Sequence, residues 1–396
     1  MAGIVQSDAL KLLFRKIGYS VGLEFLFRRT DDLVRLYADD GDVSFGAWTN
    51  LVEKQWGRQL EHMGDVFYAL NILQTRQRQT YVLWGLDALA SIYKLLGDGR
   101  AYTQARNIAL TSLIVYADSD IFLNCIASGD DNTRLKVLLT DLIAHKRRVL
   151  FGLYKLDELR RQIARVITIE NQPTNRGGAL VGKGLDAGRR TTPLSAEKHV
   201  YLPPEQTPIT ITADYFRKAP PRRREWAVSA GLLGEGNCIT DLGSALLREF
   251  GGLGLKTEGG AYYSWPLAHE LMGLNIPLNS LGVPVLNFWQ FFSLTGRPFG
   301  YREVPLPDGP TSEEVVSILA DIQRTYQHLN PSRAPLRREV PIPVACLAYI
   351  AISAASGTPR PSLMAFIDKV KRQSVRPVDF RSSKFNEGAV MIRKRG

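Results

Sequence analysis

Residues 177–183, GGALVGK, have the glycine and lysine spacing of a loop that cradles phosphates on its backbone N–H groups. Residue 184 is Gly, where such a loop needs a Ser or Thr hydroxyl to hold magnesium, and no strand directly precedes it. His269-Glu270 begins like a zinc-binding helix, but the position four after the histidine is Gly273 rather than a second ligand. The five histidines, His62, His145, His199, His269 and His328, are scattered, so no metal is expected. Carboxylates are paired at Asp31-Asp32, Asp39-Asp40, Asp130-Asp131 and Glu313-Glu314, each reading as a helix start or a turn. No Asp followed by a Glu-x-Lys strand, the usual nuclease pattern, stands out. Cys125, Cys238 and Cys346 are odd in number and form no C-x-x-C pair, which fits a reducing cytoplasm. The expectation is a protein with no catalytic residues and no cofactor; a divergent nuclease is an alternative.

Charge is the stronger signal. The 396-residue chain has a formal net charge of +11, from 50 Lys and Arg against 39 Asp and Glu. That balance favours a polyanionic partner. Arg outnumbers Lys 35 to 15; codon bias in a GC-rich genome explains such a ratio, though not the net charge. Arg222, Arg223 and Arg224 form one cluster, and Arg76 and Arg78 lie in a polar turn. The third lies in residues 369–396, which hold nine basic and two acidic residues, a local +7. Its candidate nucleic-acid ligands are Lys369, Lys371, Arg372, Arg376, Arg381 and Lys384, with Phe380 and Phe385 interleaved; a solubilising tail is the other reading. The basic run 145–148 is expected at a helix C-terminus on dipole grounds alone.

The elements that must position these groups are mostly helical by apolar spacing. Helices are predicted over 45–56, 64–73, 106–128, 133–151 and 156–165, with a strand leading into a helix over 81–96 and a short strand over 166–170. Five glycines and two prolines make 171–198 a linker or long loop. Pro220 and Pro221 are placed where a helix begins, so that Arg222, Arg223 and Arg224 fill its first turn against the macrodipole. That helix is expected to end at Gly231, with GEGNC (234–238) a tight turn and Thr240 the cap of a further helix stopped by Gly251 and Gly252. Helices over 344–353 and 361–373 precede a hairpin around FNEG (385–388). The aromatic-rich run 262–299 reads as core, and the uncharged runs 271–296 and 340–359 are broken by Pro or too short to span a bilayer.

Residues 230–233 (AGLL) and 239–243 (ITDLG) are the ones that carry a resemblance: a helix ending in small-Gly-Leu-Leu, a short hairpin, then Thr-x-x-Gly opening a helix. That order resembles the winged helix-turn-helix superfamily over about 50 residues. In that superfamily the helix before the hairpin enters the major groove and the hairpin is the wing. Residues 69–89 can be laid against 229–246, with Leu70-Asn71-Ile72-Leu73 opposite Ala230-Gly231-Leu232-Leu233, and Gly85-Leu86 opposite Leu242-Gly243 in swapped order. The implied fold is mainly α with small β-hairpins, as tandem winged-helix-like domains. The segments expected are 1–100, 101–170, a linker at 171–199, 200–305 and a basic winged-helix-like 306–396.

The functional expectation is a cytoplasmic, double-stranded-DNA-binding recognition or scaffold subunit of a nucleic-acid-processing complex, with a protein partner such as a nuclease or ATPase. No membrane partner is expected. The architecture also brings phage defence or a mobile element to mind. The competing reading is a protein–protein scaffold without DNA contact.

Overall fold

Apolar residues at helical spacing account for most of what the chain builds, and the protein is mainly α with small β-sheets. The computed structural model describes residues 23–57, 60–151, 213–264, 286–306, 312–329, 339–373, 378–381 and 389–392. The phosphate-loop-like segment 177–183, His199, His269-Glu270, the strand expected over 166–170 and the linker 171–199 lie outside the described residues.

Two compact units divide the chain, and neither is continuous. One, here called flanking, comprises Glu24–Tyr116 and Leu286–Gly396; the other, inserted, comprises Met1–Leu23 and Ala117–Val285. The division differs from the five segments read from sequence: 306–396 falls in the same unit as 24–100, and 200–305 is cut between 285 and 286.

The flanking unit begins with α1 (Leu23–Asp40) and α2 (Phe45–Thr49), which runs into a π-helical turn at Asn50–Gln55. Then come α3 (Leu60–Ala69), the antiparallel pair β1 (Leu73–Arg76) and β2 (Gln79–Val82), and α4 (Trp84–Leu96). The later part of the chain adds α9 (Phe288–Gly296), β3 (Glu303–Val304), α10 (Glu313–Leu329) and β4 (Val340–Pro341). It ends with α11 (Ile342–Ser356), β5 (Arg360–Pro361), α12 (Leu363–Gln373), β6 (Val378–Arg381) and β7 (Ala389–Ile392).

Helix α11 is apolar nearly all round, as a fully enclosed helix must be, and packs against α4, α9 and α10. Trp84, Tyr116, Phe288, Phe291 and Phe292 form an aromatic cluster with ring centroids 5.4–6.1 Å apart. The described aromatics of 288–292 are therefore core, as their sequence pattern predicts. Strand β3 pairs with β5 in parallel, and β4, β7 and β6 form an antiparallel sheet in the order β4-β7-β6.

In chain order between them, α5 (Arg100–Ser128) is interrupted at Asp118, whose φ of −144° departs from helix. This helix is long and apolar enough to cross a bilayer, but its apolar window is entirely buried within the protein. The inserted unit holds the part of α5 from Ala117, followed by α6 (Asn132–Phe151), α7 (Ala213–Ser229) and α8 (Asp241–Gly252). Helix α7 corrects a sequence expectation. Pro220 and Pro221 lie inside it rather than at its start, so Arg222, Arg223 and Arg224 occupy its second half. The cap expected for α8 is present, with the Thr240 hydroxyl accepting a hydrogen bond from the Gly243 N–H at 3.0 Å.

The helix–hairpin–helix arrangement recurs in both units. Helix α3 closes through Asn71 in the left-handed region (φ 56°), with Ile72 N–H donating to Phe67 O at 2.8 Å. Helix α7 closes through Gly231 (φ 74°), with Leu232 N–H donating to Ala227 O at 2.8 Å. The next helix then passes so close that only glycine fits. A Cβ on Gly85 would lie 2.6 Å from Asn71 O, and one on Gly243 would lie 2.1 Å from Leu232 O.

Candidate nucleic-acid interface

The basic clusters meet different fates. Arg222 is exposed and pairs with Glu225 one turn on, at 2.5 Å. Arg223 is wholly buried: its Nε donates to Asp118 Oδ2 at 2.5 Å, both side chains are 1% exposed, and its guanidinium lies 4.8 Å from the Trp226 ring centroid. The kink at Asp118 belongs to the same arrangement, since the carboxylate stands where α5 leaves helical geometry. Arg224 is also buried and donates to Asn132 Oδ1 at 2.7 Å and to the Ser128 hydroxyl at 3.5 Å. The expectation that Arg223 and Arg224 face a polyanion is thus corrected. A guanidinium removed from water needs internal acceptors, and α5 and α6 supply them.

The surroundings extend this polar interior. Burial pushes the Cys125 thiol up to about 12, against the opposing pull of the Arg224 and Arg223 charges, so the thiol stays protonated and inert. The Asn124 side chain pairs with both backbone groups of Tyr262, donating at 2.7 Å and accepting at 3.0 Å, as a neighbouring strand would. Asp120 accepts from the Ser264 N–H at 2.8 Å, and Thr257 donates to Asp141. These contacts fix a second small hairpin, bridged at Lys256 and Tyr262, directly after α8. Sequence reasoning missed it, although Gly259-Gly260 between alternating apolar residues is a turn signal. Lys256 sits at its edge, 5.1 Å from the Tyr262 ring centroid.

The C-terminal cluster is built differently. Leu363, Phe366, Ile367 and Val370 form the buried face of α12, while Ala365, Asp368, Lys371 and Arg372 are exposed and Lys369 is half-buried. Lys371 Nζ stands 3.8 Å from the Phe380 ring centroid on β6 and 3.6 Å from Asp368. Cationic side chains on α12 and the hairpin β6–β7 are thereby set side by side, because α12 packs against β6. Arg381 ends β6. Arg376 and Lys384 lie outside the described residues.

At the tip of the β1–β2 hairpin, Arg76 and Arg78 are both exposed. Asp31-Asp32 lies within α1 rather than at a helix start: Asp31 accepts from Arg106 and from the Tyr102 hydroxyl, and Asp32 pairs with Arg29 at 3.0 Å. Glu314, in the first turn of α10, pairs with Arg360 at 2.7 Å. Among the described residues no group of His, Cys, Asp and Glu could hold a metal ion. Comparison with protein-family models, with curated proteins and with solved structures finds no match.

Proposed function

We propose that this protein binds double-stranded DNA through α12 and the β6–β7 hairpin, as a recognition or scaffold subunit of a nucleic-acid-processing complex rather than as an enzyme. The observation that carries the reading is the two-sidedness of α12. Four apolar residues anchor one face, and the other presents Lys369, Lys371 and Arg372 beside a hairpin. A helix directly preceding a hairpin is the element that enters the major groove in the winged helix-turn-helix superfamily. The order α10–β4–α11–β5–α12–β6–β7, with its sheet order β4-β7-β6, supports a winged-helix-like C-terminal part.

Fluorescence anisotropy with duplex DNA over a salt series tests the proposal. Each phosphate neutralised steepens the fall of log K with log salt by about 0.9, so the slope counts the contacts. Absence of salt-sensitive binding at low ionic strength overturns the reading.

A protein–protein role fits the inserted unit. Its Arg223 and Arg224 are taken up by the interior, while Val137, Val228, Ile239 and Leu253 remain exposed at 60, 42, 40 and 45%. A nuclease or ATPase is the class of partner such a scaffold would position, in the cytoplasm and within a defence or mobile-element system.

A further inference from the structure

The turn between α7 and α8 has the opposite charge from the chain as a whole. Residues 225–241 hold Glu225, Glu235 and Asp241 and no cation, in a protein whose net charge is +11. The turn after α5 adjoins this segment, since a Cβ on Gly129 would lie 3.0 Å from Asn237 O. Residues 129–133 add Asp130 and Asp131, again with no cation. Asp130, Asp131, Glu235 and Asp241 are all exposed, while Glu225 is held by Arg222.

Two large apolar side chains stand among these carboxylates. Val228 is 42% exposed and Ile239 40%. The backbone draws their segments together: Gly231 N–H donates to Val228 O at 2.9 Å, and the Thr240 hydroxyl donates to Gly231 O at 2.7 Å. The N-termini of α6 and α8 account for Asp131 and Asp241. They do not account for Val228 and Ile239, and the core does not need Ile239, because its bridge partner Leu233 already fills the interior. The surface is also preformed. Leu232 N–H donates to Ala227 O at 2.8 Å and Gly234 N–H to Cys238 O at 2.7 Å, so a partner would not have to order it.

We infer that this tip of the inserted unit docks a basic amphipathic helix of a partner protein. The apolar row of that helix covers Val228 and Ile239, and Lys or Arg on either side of the row meets the carboxylates. The inference rests on the scaffold part of the proposed function and names the chemistry of the partner's contact. Long basic side chains suit such a rim, because their methylene stems extend the apolar contact while their heads stay in water. Nucleic acid is disfavoured here, since carboxylates repel phosphates. A second copy docked about a two-fold axis would set the same carboxylates against each other.

The test uses the full chain and three helical peptides about four turns long, made of Leu and Lys, of Leu and Glu, or of Ser and Lys. Cys238 is exposed within the tip while Cys125 and Cys346 are buried, so alkylation of Cys238 by iodoacetamide reports whether the tip is covered. The Leu-Lys peptide should bind, more weakly as salt rises, and at ten times its Kd should slow that alkylation by about tenfold. The other two peptides should leave it unchanged. Val228→Ser/Ile239→Ser should weaken Leu-Lys binding by about tenfold or more, and Asp130→Asn/Glu235→Gln by about threefold. Leu253→Ser, at the far end of α8, should have no effect. A Leu-Lys peptide that leaves Cys238 as reactive as before, or whose binding ignores the tip variants, overturns the inference. Equal protection by the Leu-Glu peptide overturns the charge argument. Protection that grows with the concentration of the chain itself, or that duplex DNA supplies, assigns the tip to a second copy or to nucleic acid and overturns the inference as well. Duplex binding by the same preparations separates the readings. A chain that binds duplex and ignores the Leu-Lys peptide loses this inference alone, and one that binds the peptide but no duplex loses DNA binding alone.

Discussion

Residues 222–224 of α7 and residues 369–372 of α12 are alike as strings, three cations within four positions on a helix, yet the molecule uses them in opposite ways. In α7 two of the three point inward, Arg223 to Asp118 and Arg224 to Asn132, and only Arg222 meets water. In α12 the apolar residues take the inward face, Lys371 and Arg372 are left outside and Lys369 is half-buried. The difference teaches that a basic cluster stays at the surface only where other residues on the same helix satisfy the core.

That contrast can be broken most sharply at the buried pair. Asp118→Ala leaves a buried guanidinium without its carboxylate and should cost about 3–5 kcal/mol in urea unfolding, whereas Asp118→Leu with Arg223→Met should recover most of the loss. A cost below about 1 kcal/mol would mean that Arg223 reaches water and that the two clusters are not so different. At α12 the sign reverses. Replacing Lys369, Lys371 and Arg372 together with Ala should leave the unfolding midpoint nearly unchanged. It should weaken duplex binding by on the order of tenfold or more, with a slope shallower by about 0.9 per cation removed. A variant that unfolds instead shows the cluster to be structural.

A third test concerns buried hydroxyls and the thiol. Burial raises Tyr301 and Tyr349 above their ordinary 10.0, Tyr301 further through Glu303, and burial raises Tyr102 likewise; Cys125 rises from 9.0 to about 12. The folded state therefore keeps protons that the unfolded chain gives up once pH passes 9 to 10. Stability should be level through neutral pH and fall as pH rises above about 9, read by denaturation at a series of alkaline pH values. The smallest effect belongs to Arg222→Ala. Its exposed pair with Glu225 contributes about 0.2–0.5 kcal/mol, and duplex affinity should be unchanged. A loss of binding as large as that at α12 would restore α7 to the interface.

Local devices were legible because local stereochemistry decides them. The Thr240 cap, the helix end at Gly231 and the paired strands on either side of 385–388 all follow from what a few neighbouring residues can adopt. Where long-range packing competes with local preference, the reading failed. Pro220 and Pro221 signal a helix start, yet α7 continues through them, and the predicted helix over 45–56 becomes a π-turn after Thr49. Contacts from α5 and α6 were equally out of reach. Asn124 and Asp120 hold the hairpin after α8 from 138 and 144 residues away, and Asp118 holds Arg223 from 105. The two interleaved units could not be read from composition for the same reason.

By itself, the sequence determined the helical class, the positions of caps and turns, the excess of cations and the apolar stripe that anchors α12. Each depends on side-chain chemistry or on spacings shorter than two helical turns. Only the tertiary structure decided which cations are exposed. Whether an arginine faces water or a carboxylate depends on which distant helix arrives beside it and what that helix brings, as α5 brings Asp118 to Arg223.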